Sequence, residues 1–214
     1  MSLKKIYLYG KGGHSRVVSE ILVANHFEIV DIFDDDQDKV SDDSLGVRLR
    51  QNRFQNLDHP LIITIGDNSK REQIAHLLKG HVFETAIDRS AIVSTSAVIG
   101  DGTVVLHGSI IQAEANIGEH VLVNTGASID HQCVIGDFAH VSPHATLCGH
   151  VEVGEGTHIG AAAVVIPCVT IGKWCKVGAG TVVIRNIPDY CTVVGNPARI
   201  IKQEVPDFEA MADG

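Results

Sequence analysis

Every sixth residue from Val93 to Val183 is aliphatic, without a break: Val93, Ile99, Val105, Ile111, Ile117, Val123, Ile129, Ile135, Val141, Leu147, Val153, Ile159, Val165, Ile171, Val177 and Val183. Four positions after each stands a second set: Ala97, Thr103, Ser109, Ala115, Val121, Ala127, Cys133, Ala139, Ala145, Val151, Thr157, Ala163, Val169, Cys175, Thr181 and, larger than most, Ile187. A period of six matches neither the 3.6 of an α-helix nor the 2 of a free amphipathic strand. It matches a solenoid whose chain turns a corner every six residues. A second period lies over the first. Ile99-Gly100, Ile117-Gly118, Ile135-Gly136, Val153-Gly154 and Ile171-Gly172 recur every eighteen residues. Three hexads therefore make one coil, and like positions stack on the next coil at about 4.8 Å. The sixteen hexads give a little over five coils, with β-branched side chains filling a narrow triangular core. The glycines of the second period are expected to relax the backbone at the corners.

Upstream the pattern changes. KKIYLY (4–9) reads as a strand that runs into Gly10-Lys11-Gly12-Gly13-His14-Ser15. RVVSEILVAN follows as a helix to about Asn25, and EIVDIFDD (28–35) as a second strand. Strand, glycine turn, helix, strand is the first unit of a doubly wound sheet. LIITIG (61–66) is a later strand, and Asp67-Asn68-Ser69 can cap a helix that runs to about Leu78. The expected division is an α/β, Rossmann-like domain over 1–88 and a parallel β-helix over 89–214 that ends in a capping segment.

Composition removes whole classes of function. A net charge of −9 over 214 residues is the wrong sign for a nucleic-acid binder. No apolar run reaches the roughly 18 residues of a membrane span. The opening MSLKK has no secretory core, so a cytoplasmic location is the expectation. Five cysteines without a CxxC pair, with Cys133 and Cys175 on inward positions, read as free buried thiols.

Three places can carry chemistry. The glycine turn lets backbone N–H groups approach a phosphate at a helix N-terminus. Ser15 stands where GxGxxG would have its third glycine, and Asp34, 24 residues beyond Gly10, ends the second strand where an acid can hold a ribose hydroxyl. The plain alternative is a tight turn beside a solvated loop, since seven aspartates fall between 31 and 43. Second, His131 sits at a corner, and eighteen-residue stacking puts Gly149 over it and His158 over His140. A histidine against a glycine backbone on a rigid wall can act as a general base beside an oxyanion donor. A corner histidine with no role is the competing reading. Third, Lys173, Lys176, Arg185, Arg199 and Lys202 face one acid, Asp189, a local charge reversal suited to an anionic partner. His131, His140, His144, His150 and His158 are scattered over several corners with no HxH or carboxylate triad, so no metal site is expected.

YGKGGH, FDDD, ITIGDN, NTGASIDHQCVIGDFAHVSPHATLCG and VVGNPAR together span nearly the whole chain. They resemble the bacterial sugar acyltransferases of the sialic acid O-acetyltransferase (NeuD) family, and among these the nucleotide-aminosugar N-acetyltransferases of bacillosamine and perosamine pathways. The resemblance implies a left-handed β-helix of hexapeptide repeats and a homotrimer with its site between subunits. It implies acetyl-CoA as co-substrate and a nucleotide-linked aminodideoxy sugar as acceptor, such as UDP-4-amino-4,6-dideoxy-N-acetylglucosamine. On that likeness His131 is the base, with Asp130, Gln132 and Gly149 as tuning or oxyanion residues. His140, Ala161, Ala179 and Arg199 would contact acetyl-CoA; Gly12, Gly13, His14, Asp34, Asp35 and Gly66 would hold the sugar nucleotide. Family members carry Glu or Asp directly after the base, and Gln132 departs from that. O-acetylation of a sialic acid is the nearest other activity. A dinucleotide-dependent oxidoreductase and a non-catalytic β-helix scaffold are the readings from other classes.

Overall fold

The computed structural model of the chain describes residues 3–34 and 57–204. It opens with β1 (Lys4–Tyr9), α1 (Gly13–Ala24), β2 (Phe27–Phe33), β3 (Leu61–Ile63) and α2 (Asn68–Leu77). These strands form a parallel sheet in the order β2-β1-β3. Asp67 caps α2 as the sequence suggests, its carboxylate accepting the Lys70 N–H at 2.9 Å.

From β4 (Ala86–Ile87) onward the chain is a parallel β-solenoid of two-residue strands. Its first face runs through Ala86–Ile87, Val104–Val105, Leu122–Val123, His140–Val141, His158–Ile159 and Lys176–Val177. The second runs through Ile92–Val93, Ile110–Ile111, Ser128–Ile129, Thr146–Leu147, Val164–Val165 and Val182–Val183. The third runs through Val98–Ile99, Asn116–Ile117, Val134–Ile135, Glu152–Val153 and Thr170–Ile171. Paired residues differ by eighteen, as Leu122 with Val104 and with His140. From Val105 onward the inward aliphatic positions predicted from the hexads are buried in one continuous core that runs to Val193, with Val93, Ala97 and Ile99 partly buried at its open end.

The corner works differently from the expectation. From Gly102 to Gly180 every sixth residue has a positive φ, and nine of these fourteen are not glycine, among them Glu114 (60°), His120 (53°), Gln132 (58°), Phe138 (58°) and Trp174 (53°). From His120 onward the left-handed residue turns its N–H along the solenoid axis to a carbonyl nineteen residues back, as Gln132 to Ala113, Phe138 to Glu119 and His150 to His131, while Gly108 and Glu114 donate instead to the hydroxyls of Ser90 and Ser96 one coil back. That bond offsets the roughly 1–2 kcal/mol which an L-residue costs in this region. Gly100, Gly118, Gly136, Gly154 and Gly172 are not the positive-φ residues. They are glycine for lack of room: a Cβ at Gly100, Gly136 or Gly154 would sit 2.6 Å from backbone of the next coil, and one at Gly118 or Gly172 would strike an aspartate one coil on.

The repeat ends by losing two residues. Ile187 bridges Ile171 and Thr192 pairs with Lys176, each a step of sixteen instead of eighteen. Ile187 thus takes the strand role in place of the small inward one, which accounts for its size. The chain then closes with an antiparallel pair, Cys191–Val194 and Arg199–Gln203.

The α/β unit is bound to the first face and to the corner that leads into it. Val104, Leu106 and Leu122 share a core with Ile6, Leu8, Val18 and Leu22, and Phe138 joins Tyr9, Phe33 and Ile74. Arg71 on α2 holds the junction. Its side chain is fully buried. It donates to the carbonyls of His120 (2.8 Å), Phe138 (2.7 Å), Ala139 (3.4 Å), Ile65 (3.0 Å) and Gly66 (3.3 Å) and to Asn68 Oδ1 (2.9 Å). Burial pushes its pKa down to about 10, so the guanidinium remains charged at neutral pH. Asn68 adds a bond to the Gly156 carbonyl at 3.0 Å.

Removing Arg71 would strand several buried carbonyls at roughly 1–3 kcal/mol each. Arg71→Met is therefore expected to destabilise the protein by about 3 kcal/mol or more in chemical denaturation. Arg71→Lys would recover little, because one ammonium cannot serve acceptors on both sides. A midpoint unchanged in both variants would contradict the clasp.

Candidate active site

Between β1, α1 and α2 lies a cavity of about 590 Å³ lined by Gly10, Gly12, Gly13, His14, Asp34, Thr64, Gly66 and Lys70. It gathers five of the six positions expected to hold a sugar nucleotide; the sixth, Asp35, lies outside the described residues. Gly12 is the N-cap of α1 and offers no side-chain cap, and no acid lies in the first turn, so the helix's own side chains leave its N-terminal N–H groups uncapped. A Cβ at Gly12, Gly13 or Gly66 would meet nothing within 4 Å. Ser15, the departure from GxGxxG, is buried and donates to the Gly12 carbonyl at 2.8 Å. Asp34 accepts the Lys11 N–H at 2.6 Å and so braces the turn. The Nε2 of His14 is buried without a partner among the described residues. Burial, and then the Arg71 charge, lower the pKa of His14 to about 4.

His140 projects from the first face. Its ring stacks on His158 at 4.8 Å, nearly parallel, as the eighteen-residue spacing predicts. Asn124 Nδ2 lies 3.1 Å from His140 Nε2, and Ser142 Oγ lies 2.7 Å from His158 Nε2. Neither partner was singled out from sequence; each stands sixteen residues before its histidine, which stacking arithmetic could have found. Burial, then His158, Arg71 and His14, drive the His140 pKa down to about 3. Ala161 and Ala179 stack at the next corner along the chain, the Gly180 N–H donating to the Ala161 carbonyl at 2.8 Å. Arg199 opens the exposed last strand, Arg199–Gln203, and donates to the Ala198 carbonyl. Of the other basic residues near the C-terminus, Lys173 and Lys202 pair with Glu155 and Glu204.

His131 lies on the corner between the second and third faces. Its ring covers Gly149 so closely that a Cβ there would collide with Cε1 and Nε2. Gly149 is buried, and its N–H has no acceptor among the hydrogen bonds of the described residues. Asp130 accepts the His131 N–H at 2.8 Å. Gln132 Oε1 lies 3.3 Å from His131 Nδ1, and Gln132 Nε2 donates to Glu114 at 3.0 Å. His150 meets His131 edge-on at 5.3 Å. This corner is the one opposite the first face. A single chain therefore keeps His131 and Gly149 apart from His140 and the cavity. No three His, Cys, Asp or Glu side chains among the described residues are grouped to hold a metal.

Residues 5–78 match the PglD N-terminal domain model, and residues 150–185 the bacterial transferase hexapeptide (six repeats) model. The acetyltransferase domain of PglB from Neisseria gonorrhoeae FA1090 is 33% identical over 92% of this chain and 100% of that chain, with a TM-score of 0.85. PerB from Caulobacter crescentus, solved with CoA and GDP-perosamine, is 37% identical over 92% of this chain and 97% of its own, with a TM-score of 0.84. UDP-N-acetylbacillosamine N-acetyltransferase of Bacillus subtilis is 44% identical over 112 residues. The chain spans about half the length of that relative, or 52%.

The histidines held neutral by burial give the molecule a built-in acid sensitivity. His120 is 3% exposed, stacked on Phe138 at 5.3 Å, with its pKa lowered by burial to about 4. In the unfolded chain an imidazole takes up its proton near pH 6.5. Stability is therefore complete above 6.5 and falls as the pH drops toward 4, at up to about 1.4 kcal/mol per pH unit for each such group. Denaturation measured at pH 7, 6 and 5 should show this slope, and His120→Phe should flatten it. Equal slopes in both proteins would assign the sensitivity elsewhere.

Proposed function

We propose, since the chain belongs to the nucleotide-aminosugar N-acetyltransferase family of hexapeptide-repeat proteins, that it transfers the acetyl group of acetyl-CoA to the amine of a nucleotide-linked aminodideoxy sugar. The observation that carries this reading is the pairing of His131 with the buried, unpartnered N–H of Gly149. Imidazole exchanges protons near neutral pH. As the sugar amine attacks the thioester carbonyl, His131 takes the proton that the nitrogen must lose. The Gly149 N–H receives the oxyanion of the tetrahedral intermediate. Collapse breaks the C–S bond, and the proton held by His131 goes to the departing sulfur, so CoA leaves as the thiol and the base is regenerated, with no covalent enzyme intermediate.

The nucleotide diphosphate is assigned to the glycine-turn cavity, with its phosphates at the N-terminus of α1 and beside Lys70. Asp35 belongs to the same proposed set. Acetyl-CoA is assigned to the edge carrying His140, Ala161 and Ala179, with Arg199 toward its phosphates. His140, held neutral, can offer a hydrogen bond to the donor without adding charge. Because His131 stands opposite the face that bears the cavity, these parts meet only between copies. Three copies side by side would bring His131 of one to the cavity of the next.

A thiol-release assay with acetyl-CoA across a panel of nucleotide aminosugars tests the activity. In it, His131→Ala should lower kcat by roughly 10²–10⁴-fold, the range for loss of a general base, while acetyl-CoA still binds. His140→Ala should weaken use of the donor as well as turnover. Near wild-type turnover of His131→Ala across the pH range would remove the base from the mechanism.

A valine at Gly12 would enter open space, so Gly12→Val should keep its fold, raise KM for the sugar nucleotide and leave that for acetyl-CoA little changed. Light scattering should give a trimer mass. Coexpressing Gly12→Val with His131→Ala should restore part of the activity that each homotrimer lacks, since some interfaces then combine two intact halves. A monomer mass, or failure of mixed trimers to recover activity, would overturn the shared site.

A further inference from the structure

Gln132 directly follows His131, and a neutral amide has no fixed preference for which end it offers to an imidazole. The structure supplies the preference. Gln132 Nε2 lies 3.0 Å from Glu114 Oε2. A carboxylate only accepts, so the amide nitrogen must face Glu114. The amide oxygen is thereby turned to His131 Nδ1, 3.3 Å away. That oxygen too can only accept, so Nδ1 carries the ring proton and Nε2 keeps its lone pair. Nε2 is the nitrogen that lies against Gly149.

We propose that Glu114 is a positioning residue for this site: acting through Gln132, it selects the tautomer in which His131 Nε2 is free to accept a proton. The proposal rests on the reading of His131 as the base. The solenoid makes the arrangement possible. Glu114 and Gln132 are eighteen residues apart, on one corner, with nearly equal φ of 60° and 58°. Their side chains therefore leave the wall in parallel, one coil apart. The Glu114 backbone is itself pinned, its N–H donating to Ser96 Oγ at 3.1 Å. A carboxylate placed one coil away thus does, through an amide, what a carboxylate next to the base would do directly. All three side chains are exposed in the single chain, so water competes and the expected effect is smaller than loss of the base itself.

Glu114→Gln tests this. It keeps the shape and removes the obligate acceptor, which frees the Gln132 amide to flip. The expected result is a fall in kcat of about tenfold, the lower end of what indirect supports of a catalytic group cost, with KM for acetyl-CoA within about twofold of wild type. In ¹⁵N-histidine NMR, the His131 signal, identified by its absence in His131→Ala, should report a protonated Nδ1 in the wild type and a mixed tautomer in Glu114→Gln. The swapped double variant Glu114→Gln/Gln132→Glu restores an obligate acceptor beside His131 and should recover most of the turnover and the original NMR signature. Wild-type kcat and NMR in Glu114→Gln would overturn the proposal. So would a loss that the swap fails to rescue, since Glu114 would then act other than by orienting the amide. An active His131→Ala would sink the base reading, while the NMR comparison would still report whether Glu114 sets the tautomer.

Discussion

One left-handed residue per corner governs this molecule. Each such residue bends the chain and at the same time sends its N–H to the preceding coil, so turning and stacking are one act. With the coil length fixed at eighteen, any side chain on the wall has two neighbours known in advance. The pairing of His131 with Gly149, of His140 with His158 and of Glu114 with Gln132 all follow from it. The His140–His158 contact lies on paired strands, and the other two lie on tight corners whose flanking strands the core holds in register, which is the rigidity that a catalytic geometry needs.

The second determinant is the junction. Arg71 binds carbonyls of the α/β unit and of two successive solenoid corners with one planar group. It thereby fixes which face the glycine-turn cavity leans on, and leaves the opposite corner, with His131, uncovered by its own chain. On the proposed reading, a division of the chemistry between copies would follow from where this one side chain docks. The same burial keeps His14, His120 and His140 neutral, so the apolar packing that aligns the two units also sets the electrostatics of the site.

The architecture was legible in sequence because hexads repeat an identical environment many times, and repetition turns weak preferences into a pattern. The left-handed corners were not, since Glu114, His120, Phe138 and Trp174 carry no local signal for positive φ; the repeat imposes it on them. The glycines after the aliphatic positions were visible, but their cause was steric crowding between coils, which spacing alone does not distinguish from conformational freedom. Gly12, Gly13, His14, Asp34 and Gly66 could be listed because a strand–turn–helix gathers them locally. Arg71 could not: its partners lie up to 68 residues away and are backbone carbonyls, which no residue pattern records. Glu114 was hidden for a related reason. It matters only through an amide whose orientation is decided in three dimensions.

The two-residue loss near Ile187 shows that the wall has the equivalent of a reading frame. Within it, the role of a position is its number modulo eighteen, and a step of sixteen at Ile171–Ile187 and Lys176–Thr192 is followed at once by an antiparallel hairpin. A single inserted or deleted residue upstream would reassign every later side chain, turning inward aliphatics outward and carrying histidines off their partners. Gain or loss of a whole coil would leave each neighbour relation intact. Length in this lineage can therefore change in units of coils, while between coils it is held fixed.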